Sequence, residues 1–173
     1  KKETDFIGFT DADLATPPEA VYLLLKKIGT YDCSIANRYS KESKITPKIT
    51  FRRLIVAKVF NFLVRSLFFF KCPDTQCGAK LFNRRAVKCI VEKVKMSRWA
   101  FDVEIIFHLK KDGMKIISVP TIWSDIDGGS IKVGKASIQM FFSIVRLRIL
   151  NSRFKRILKP FSSLTNALWR LIK

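Results

Sequence analysis

Apolar and polar positions alternate along Asp5–Thr10 (DFIGFT) in the manner of a buried strand, and Pro17–Pro18 then open a stretch whose periodicity predicts a helix through about Ile28. Tyr31–Ala36 reads as a second strand, followed by a long basic stretch with helical spacing, in which Lys58, Asn61 and Arg65 form one polar stripe. Beyond it the pattern predicts a short strand at Lys80–Phe82 and a helix from about Arg84 to Val94. A second helix runs from about Trp99 to Lys111, and a strand at Lys115–Val119 is bounded by Gly113 and Pro120. Near the C-terminus Phe154, Ile157, Leu158, Phe161, Leu164 and Leu168 recur at i, i+3, i+4, i+7 spacing, with Pro160 expected to kink that helix. Strands alternating with helices predict an α/β fold, a mostly parallel sheet covered by helices.

Composition narrows the class. The chain has 173 residues, 48% of them hydrophobic, which suits one domain with a real core and excludes disorder. With 33 basic and 14 acidic side chains the net charge is +19, so the expected partner is anionic: nucleic acid, an anionic membrane surface or a phosphate-bearing substrate. Cys33, Cys72, Cys77 and Cys89 form no C-x-x-C pair and His108 is the single histidine, an arrangement unsuited to zinc and expected of reduced thiols facing the cytosol. His108 itself reads as structural. The longest uncharged apolar stretch, Ala136–Val145, is far short of the roughly 18 to 20 residues that span a bilayer. The chain begins at Lys1 and enters a core-type strand almost at once, so an absent N-terminal part is expected.

The charge is unevenly placed. Ser43–Pro73 and Gly128–Lys173 contain no acidic residue, and both mix lysine and arginine with bulky apolar side chains. Such helices suit a membrane interface, the apolar side at the acyl boundary and the cations among lipid phosphates. The alternative is that they pack on the domain and turn a solvated basic face outward; two such segments in one chain favour the interface. The expected organisation is therefore residues 1–127 as an α/β portion that includes the basic helical segment 47–72, and residues 128–173 as basic amphipathic interface helices.

Asp11-Ala12-Asp13 closes the first strand, and carboxylates at i and i+2 on a strand's carboxyl edge converge where open α/β sheets bind ligands. A divalent cation with oxygen ligands would relieve their repulsion and bridge them to a diphosphate; the plainer reading of D-x-D is a turn or helix cap. The wider pattern decides between these. FTDADLATPPE, NRY at Asn37–Tyr39, DTQCGAKLF at Asp74–Phe82, RWAFDVE at Arg98–Glu104 and VPTIW at Val119–Trp123 resemble, in order and spacing, glycosyltransferase family 2 enzymes acting on polyprenyl phosphates. The resemblance is to the dolichyl-phosphate β-glucosyltransferase branch, with mannose synthase as a cousin.

That resemblance implies a GT-A-type fold and inverting transfer of a single hexose from a nucleotide sugar, UDP-glucose favoured and GDP-mannose possible, to dolichyl or polyprenyl phosphate. The work would be done at the cytoplasmic face of a membrane, with Mg²⁺ or Mn²⁺ as cofactor. It implies Asp11 and Asp13 as metal and diphosphate ligands, Arg38 and Arg52 as phosphate clamps, with Arg53 beside Arg52, and Asp74 with Gln76 near the transferring sugar. Lys132, in a Gly128–Gly134 stretch that resembles the family's Gly-Ser-Lys loop with one residue inserted, would touch phosphate. Ala15 stands where mannose synthases often carry a polar residue, leaving coordination to Asp11, Asp13 and substrate oxygens. A lipid monophosphate, with a second pKa near 6, needs no general base, so the lack of a His or Cys nucleophile motif is expected. Two other classes stay open on the sequence: an inactive membrane-adhering remnant, and a nucleic-acid-binding module, against which stands the absence of a zinc-finger, RNP or Gly-x-x-Gly motif.

Overall fold

The computed structural model describes residues 5–47, 51–95, 100–124 and 133–152. Four strands, β1 (Phe6–Phe9), β2 (Cys33–Asn37), β4 (Lys80–Asn83) and β5 (Ile116–Pro120), form one sheet in the order β1-β4-β2-β5. β2 and β5 are parallel, while β4 runs antiparallel to both β1 and β2. Three of the four strands thus point the same way, as expected, with β4 reversed between two of them. A separate parallel pair, β3 (Lys44–Thr46) and β6 (Ile122–Ser124), flanks this sheet.

The side-chain alternation of β2 sorts the core into two layers. Ala36 faces helix α1 (Pro18–Ile28), whose Leu24 and Ile28 pack with Leu81 and Val119. Cys33 and Ile35 face the other layer with Phe82. That layer holds Phe60, Val64 and Phe68 of α2 (Phe51–Phe68), Val103, Ile105, Ile106 and Leu109 of α4 (Phe101–Lys111), and Ile144 and Leu147 of α5 (Val133–Leu150). Helix α3 (Arg84–Lys93) starts directly at the end of β4, where the Asn83 side chain caps it by accepting from the Ala86 amide at 2.9 Å.

The expected strands and helices are present with small shifts of boundary, but several readings change. β1, expected to be buried, is the edge strand of the sheet, paired only with β4 among the described residues; Ile7 and Gly8 are exposed and Phe6 and Phe9 only partly covered. Lys44–Thr46, inside the stretch expected to be helical, is a strand, because it pairs with β6, itself too short to show a period. Asn61 is not part of an outward polar stripe: it is buried and accepts from the Thr75 hydroxyl at 3.3 Å. What α2 turns outward beside Lys58 and Arg65 is apolar, Ile55, Val59 and Phe62, with Phe69 just past its end. The C-terminal stripe Phe154–Leu168 and Pro160 lie outside the described residues.

Asp32 fastens the entry to β2. Its two carboxylate oxygens accept from the Asn83 side chain at 3.0 Å and the Lys115 amide at 2.9 Å, so one side chain joins β2 to the α3 cap and to the start of β5. Burial works to raise its pKa, but those hydrogen bonds and Arg85 outweigh it and hold the carboxyl below its ordinary value of 3.8. Its stabilisation is therefore complete above that ordinary value and is lost as pH falls through the lower folded one. Asp32→Asn is expected to cost about 1–3 kcal/mol at pH 7 and to flatten the loss of stability on the acid side of about pH 4. Urea titrations of both proteins from pH 7 to pH 2.5 check this; parallel pH profiles would contradict it.

Candidate active site

The carboxyl ends of β1 and β2 and the amino end of reversed β4 meet at one edge of the sheet. The β1–β4 register pairs Phe9 with Lys80, and carried two residues further it sets Asp11 opposite Gly78. Beyond β1 the chain turns at once: the Leu14 amide donates to the Asp11 carbonyl at 3.1 Å and the Ala15 amide to the Asp13 carboxylate at 3.0 Å, with Leu14 in the left-handed region at φ 56°. This turn leaves Asp11 and Asp13 exposed at the tip. The Ser124 amide, donating to the Ala15 carbonyl at 2.8 Å, pins the far side of the turn to β6.

Gly78 makes the seat for Asp11. A Cβ at position 78 would fall on the Asp11 carboxyl group, so only glycine lets that side chain lie against β4. Partial burial there pushes the Asp11 carboxyl above its ordinary value, Asp13 and Asp102 push it further, and Lys80 and Arg38 pull the other way. Two crowded carboxylates with a glycine cradle suit a hard divalent cation. Among the described residues no group of three or more His, Cys, Asp or Glu is placed to hold a metal, so Asp11 and Asp13 would share the ion with substrate oxygens.

Asp74 and Arg38 form the buried part of the site. The Asp74 side chain is 0% exposed and accepts four hydrogen bonds: from Arg38 Nε at 2.8 Å, Arg38 Nη2 at 3.0 Å, the Arg38 amide at 3.1 Å and the Gln76 amide at 3.3 Å. Burial works to lower the Arg38 pKa, but Asp74 overrides it and raises the value still further, so the guanidinium is always charged. Its Cζ also lies 5.8 Å from the Tyr39 ring and 5.7 Å from the Trp123 ring, which draws β6 to the same point. The family resemblance implies Asp74 near the sugar; its side chain is enclosed beneath Arg38, with partly buried Gln76 beside it. Arg38 keeps 18% of its side chain exposed. Arg52 stands in the first turn of α2 with its side chain outside the described part, and Lys132 lies outside the described residues.

Two site-edge residues were missed. Lys80, flanked by buried Ala79 and Leu81, is itself buried, and its ammonium donates to Asp102 and to the Cys77 carbonyl, both at 2.6 Å. A lysine inside an otherwise apolar strand was the available signal. The thiols offer no alternative chemistry: burial pushes Cys33 up to about 12 and Cys72 to about 11, so neither ionises at neutral pH.

Since Gly78→Ala meets only a short exposed side chain, its expected cost in stability is small, within about 0.5 kcal/mol, while Asp11 is expelled from its seat. In ¹³C-detected carboxyl titrations the Asp11 pKa should fall back toward 3.8 in the variant. An unchanged Asp11 titration would contradict the seat.

The chain is similar to known proteins. The model for "Glycosyl transferase family 2" matches residues 3–91, just over half of the chain. A dolichyl-phosphate beta-glucosyltransferase of Dictyostelium discoideum is 38% identical over 128 residues, 72% of this chain and 39% of that protein. The enzyme of the same name from Saccharomyces cerevisiae is 36% identical over 91 residues, 53% of this chain and 26% of the relative. The Homo sapiens one is 32% identical over 125 residues, 71% and 38%. The chain therefore spans about two fifths or less of the length of these relatives. With the match over 3–91 containing the D-x-D tip, its Gly78 seat and the Arg38–Asp74 pair, the chain belongs to glycosyltransferase family 2.

Proposed function

We propose that this protein transfers one glucose, with inversion, from UDP-glucose to dolichyl or a related polyprenyl phosphate at the cytoplasmic face of a membrane. The observation that carries the reading is the D-x-D tip seated on Gly78 within a family 2 chain whose relatives are named for that reaction. In the reaction an oxygen of the lipid phosphate attacks the anomeric carbon as the bond to the nucleotide diphosphate breaks on the opposite face. The acceptor is already ionised at neutral pH, so no side chain has to remove a proton. Catalysis is then positioning and charge stabilisation.

The chain's own groups are suited to that work. Asp11 and Asp13 would hold Mg²⁺ or Mn²⁺, which when bound supplies Lewis-acid neutralisation of the departing diphosphate. Asp74 occupies Nε and Nη2 of Arg38 and fixes its plane, which leaves Nη1 to meet a phosphate oxygen of donor or acceptor. Asp74 therefore serves by orienting Arg38, and Gln76 stands next to it. Arg52 and Lys132 remain our candidates for the acceptor phosphate.

The acceptor's tail explains the outward face of α2. No described helix is long and apolar enough to cross a membrane. The exposed apolar groups Ile55, Val59, Phe62 and Phe69, edged by Lys58 and Arg65, have the composition of an interfacial helix. Helix α5, which packs on α2, adds exposed Ile138 and Phe141, and its Arg148 lies 6.0 Å from the Phe69 ring. A protein resting on the leaflet through this face would take the phosphate into its cleft while the tail stays in lipid, avoiding about 0.8 kcal/mol per CH₂ brought into water.

Full-length protein supplied with UDP-[¹⁴C]glucose, dolichyl phosphate vesicles and Mn²⁺ is expected to move label into the organic phase. Asp13→Ala or excess EDTA should reduce transfer at least a hundredfold. Phe62→Glu combined with Phe69→Glu should weaken vesicle binding about tenfold and spare turnover of a short-chain, water-soluble acceptor. Full activity in EDTA or in Asp13→Ala would overturn the reading.

A further inference from the structure

A chain of net charge +19 has no shortage of surface for its lysines, yet it buries Lys80. The side chain is 0% exposed, on the same face of β4 as Phe82, and its ammonium lies 5.4 Å from the Phe9 ring. Removing an ammonium from water is costly, and a buried ion pair returns little net stability against apolar residues of the same size. The pair therefore needs a reason other than stability. Its geometry supplies one. Lys80 lies directly opposite Phe9, two residues before Asp11, and two residues after the Gly78 that seats Asp11. Its ammonium spends one hydrogen bond on the Cys77 carbonyl, which anchors it to the 74–78 loop, and one on Asp102 Oδ1. Asp102, in the first turn of α4, is 29% exposed, and its other oxygen has no hydrogen-bond partner among the described residues. The Asp11 carboxyl fills the Cβ position of Gly78, two residues before Lys80 along the same chain, so the lysine that holds Asp102 stands next to the seat of the tip.

We infer that Lys80 is a positioning residue that holds Asp102 at the flank of the Asp11–Asp13 tip, where the free Asp102 oxygen serves as an outer-sphere carboxylate toward the hydration shell of the divalent cation. This rests on the metal reading proposed above. A small hard cation keeps several of its waters, and carboxylates that accept hydrogen bonds from such a shell orient it and raise affinity. Among the described residues Asp102 forms no three-ligand group with Asp11 and Asp13, and it is held in place by a lysine that is itself anchored on the Cys77 carbonyl.

The test is Mn²⁺ binding to the full chain, read from the free-Mn²⁺ electron paramagnetic resonance signal, with no sugar or lipid present. Asp102→Asn is expected to weaken binding about tenfold. Lys80→Met should weaken it by the same factor, and the double variant no further, because both act through one oxygen. If Lys80 acted only as a nearby positive charge, Lys80→Met would tighten Mn²⁺ binding, and that result overturns the inference. Asp13→Ala separates metal binding at the tip from the role of Lys80 and Asp102. If it leaves Mn²⁺ affinity unchanged, the metal reading itself fails; if it weakens binding while Asp102→Asn stays within twofold of wild type, only the role of Lys80 and Asp102 falls. Should a variant lose its cooperative thermal transition, the wild-type chain still decides: Mn²⁺ should selectively broaden the Lys80 ε-methylene resonance, and an unbroadened signal at saturation contradicts the placement.

Discussion

A carboxylate with no exposure to water is tolerable only if its lone pairs are filled, and Asp74 fills them with two guanidinium and two amide donors. That requirement organises the site. Arg38 must stand at the end of β2, and the loop after Asp74 must turn back on itself so that the Gln76 amide reaches the same group. Both conditions fix the direction from which β4 enters the sheet. Once β4 enters there, its register puts Gly78 against Asp11 and Lys80 opposite Phe9. Trp123 and Tyr39 complete the enclosure by covering the guanidinium. The D-x-D tip, which is exposed and turns sharply through Leu14, thus depends for its position on a buried pair contributed by two other segments.

The same arrangement accounts for a reversed strand in a sheet that otherwise runs one way. A parallel β4 would present its carboxyl end to the cleft; reversed, it brings its amino end and the preceding 74–78 loop there instead. The carboxyl ends of β1 and β2 and the start of β4 then share one edge, where open α/β sheets take their ligands. On the other side of the core, α2 and α5 pack through Phe60, Val64, Ile144 and Leu147 and leave a second apolar surface outside. Asn61 connects the two regions: it is buried in α2 and bonded to Thr75, the neighbour of Asp74.

Much of the fold is legible in the sequence. Period and punctuation locate four strands and the helices between them; β1 shows that alternation marks a strand without saying how far it is covered, since its Ile7 and Gly8 are exposed. β3 and β6 escaped because three residues carry no period and their pairing with each other is a long-range event. Asn61 misled because helical spacing groups polar residues without saying which side faces the core; Thr75, fourteen positions away, decided it. The motif blocks single out Asp11, Asp13, Arg38 and Asp74, and the structure bonds Arg38 to Asp74 and seats Asp11 on Gly78. They were silent on the inversion of roles within them, in which Arg38 is the partly exposed member and Asp74 the enclosed one, since burial is a property of the assembled loop. Lys80 was visible as an oddity, a cation inside an apolar strand, but its partner Asp102 lies 22 residues on.

The dependence of the site on its buried pair is read most directly from the coupling between Asp74 and Arg38, measured as a double-mutant cycle by urea denaturation with Asp74→Ala, Arg38→Met and the combination. Each single change leaves one buried charge alone and should cost about 3–5 kcal/mol. The combined variant, with neither charge left, should cost well under the sum, giving a coupling of at least about 1.5 kcal/mol. Costs that add to within about 0.5 kcal/mol would contradict the claim that this buried pair holds the site together.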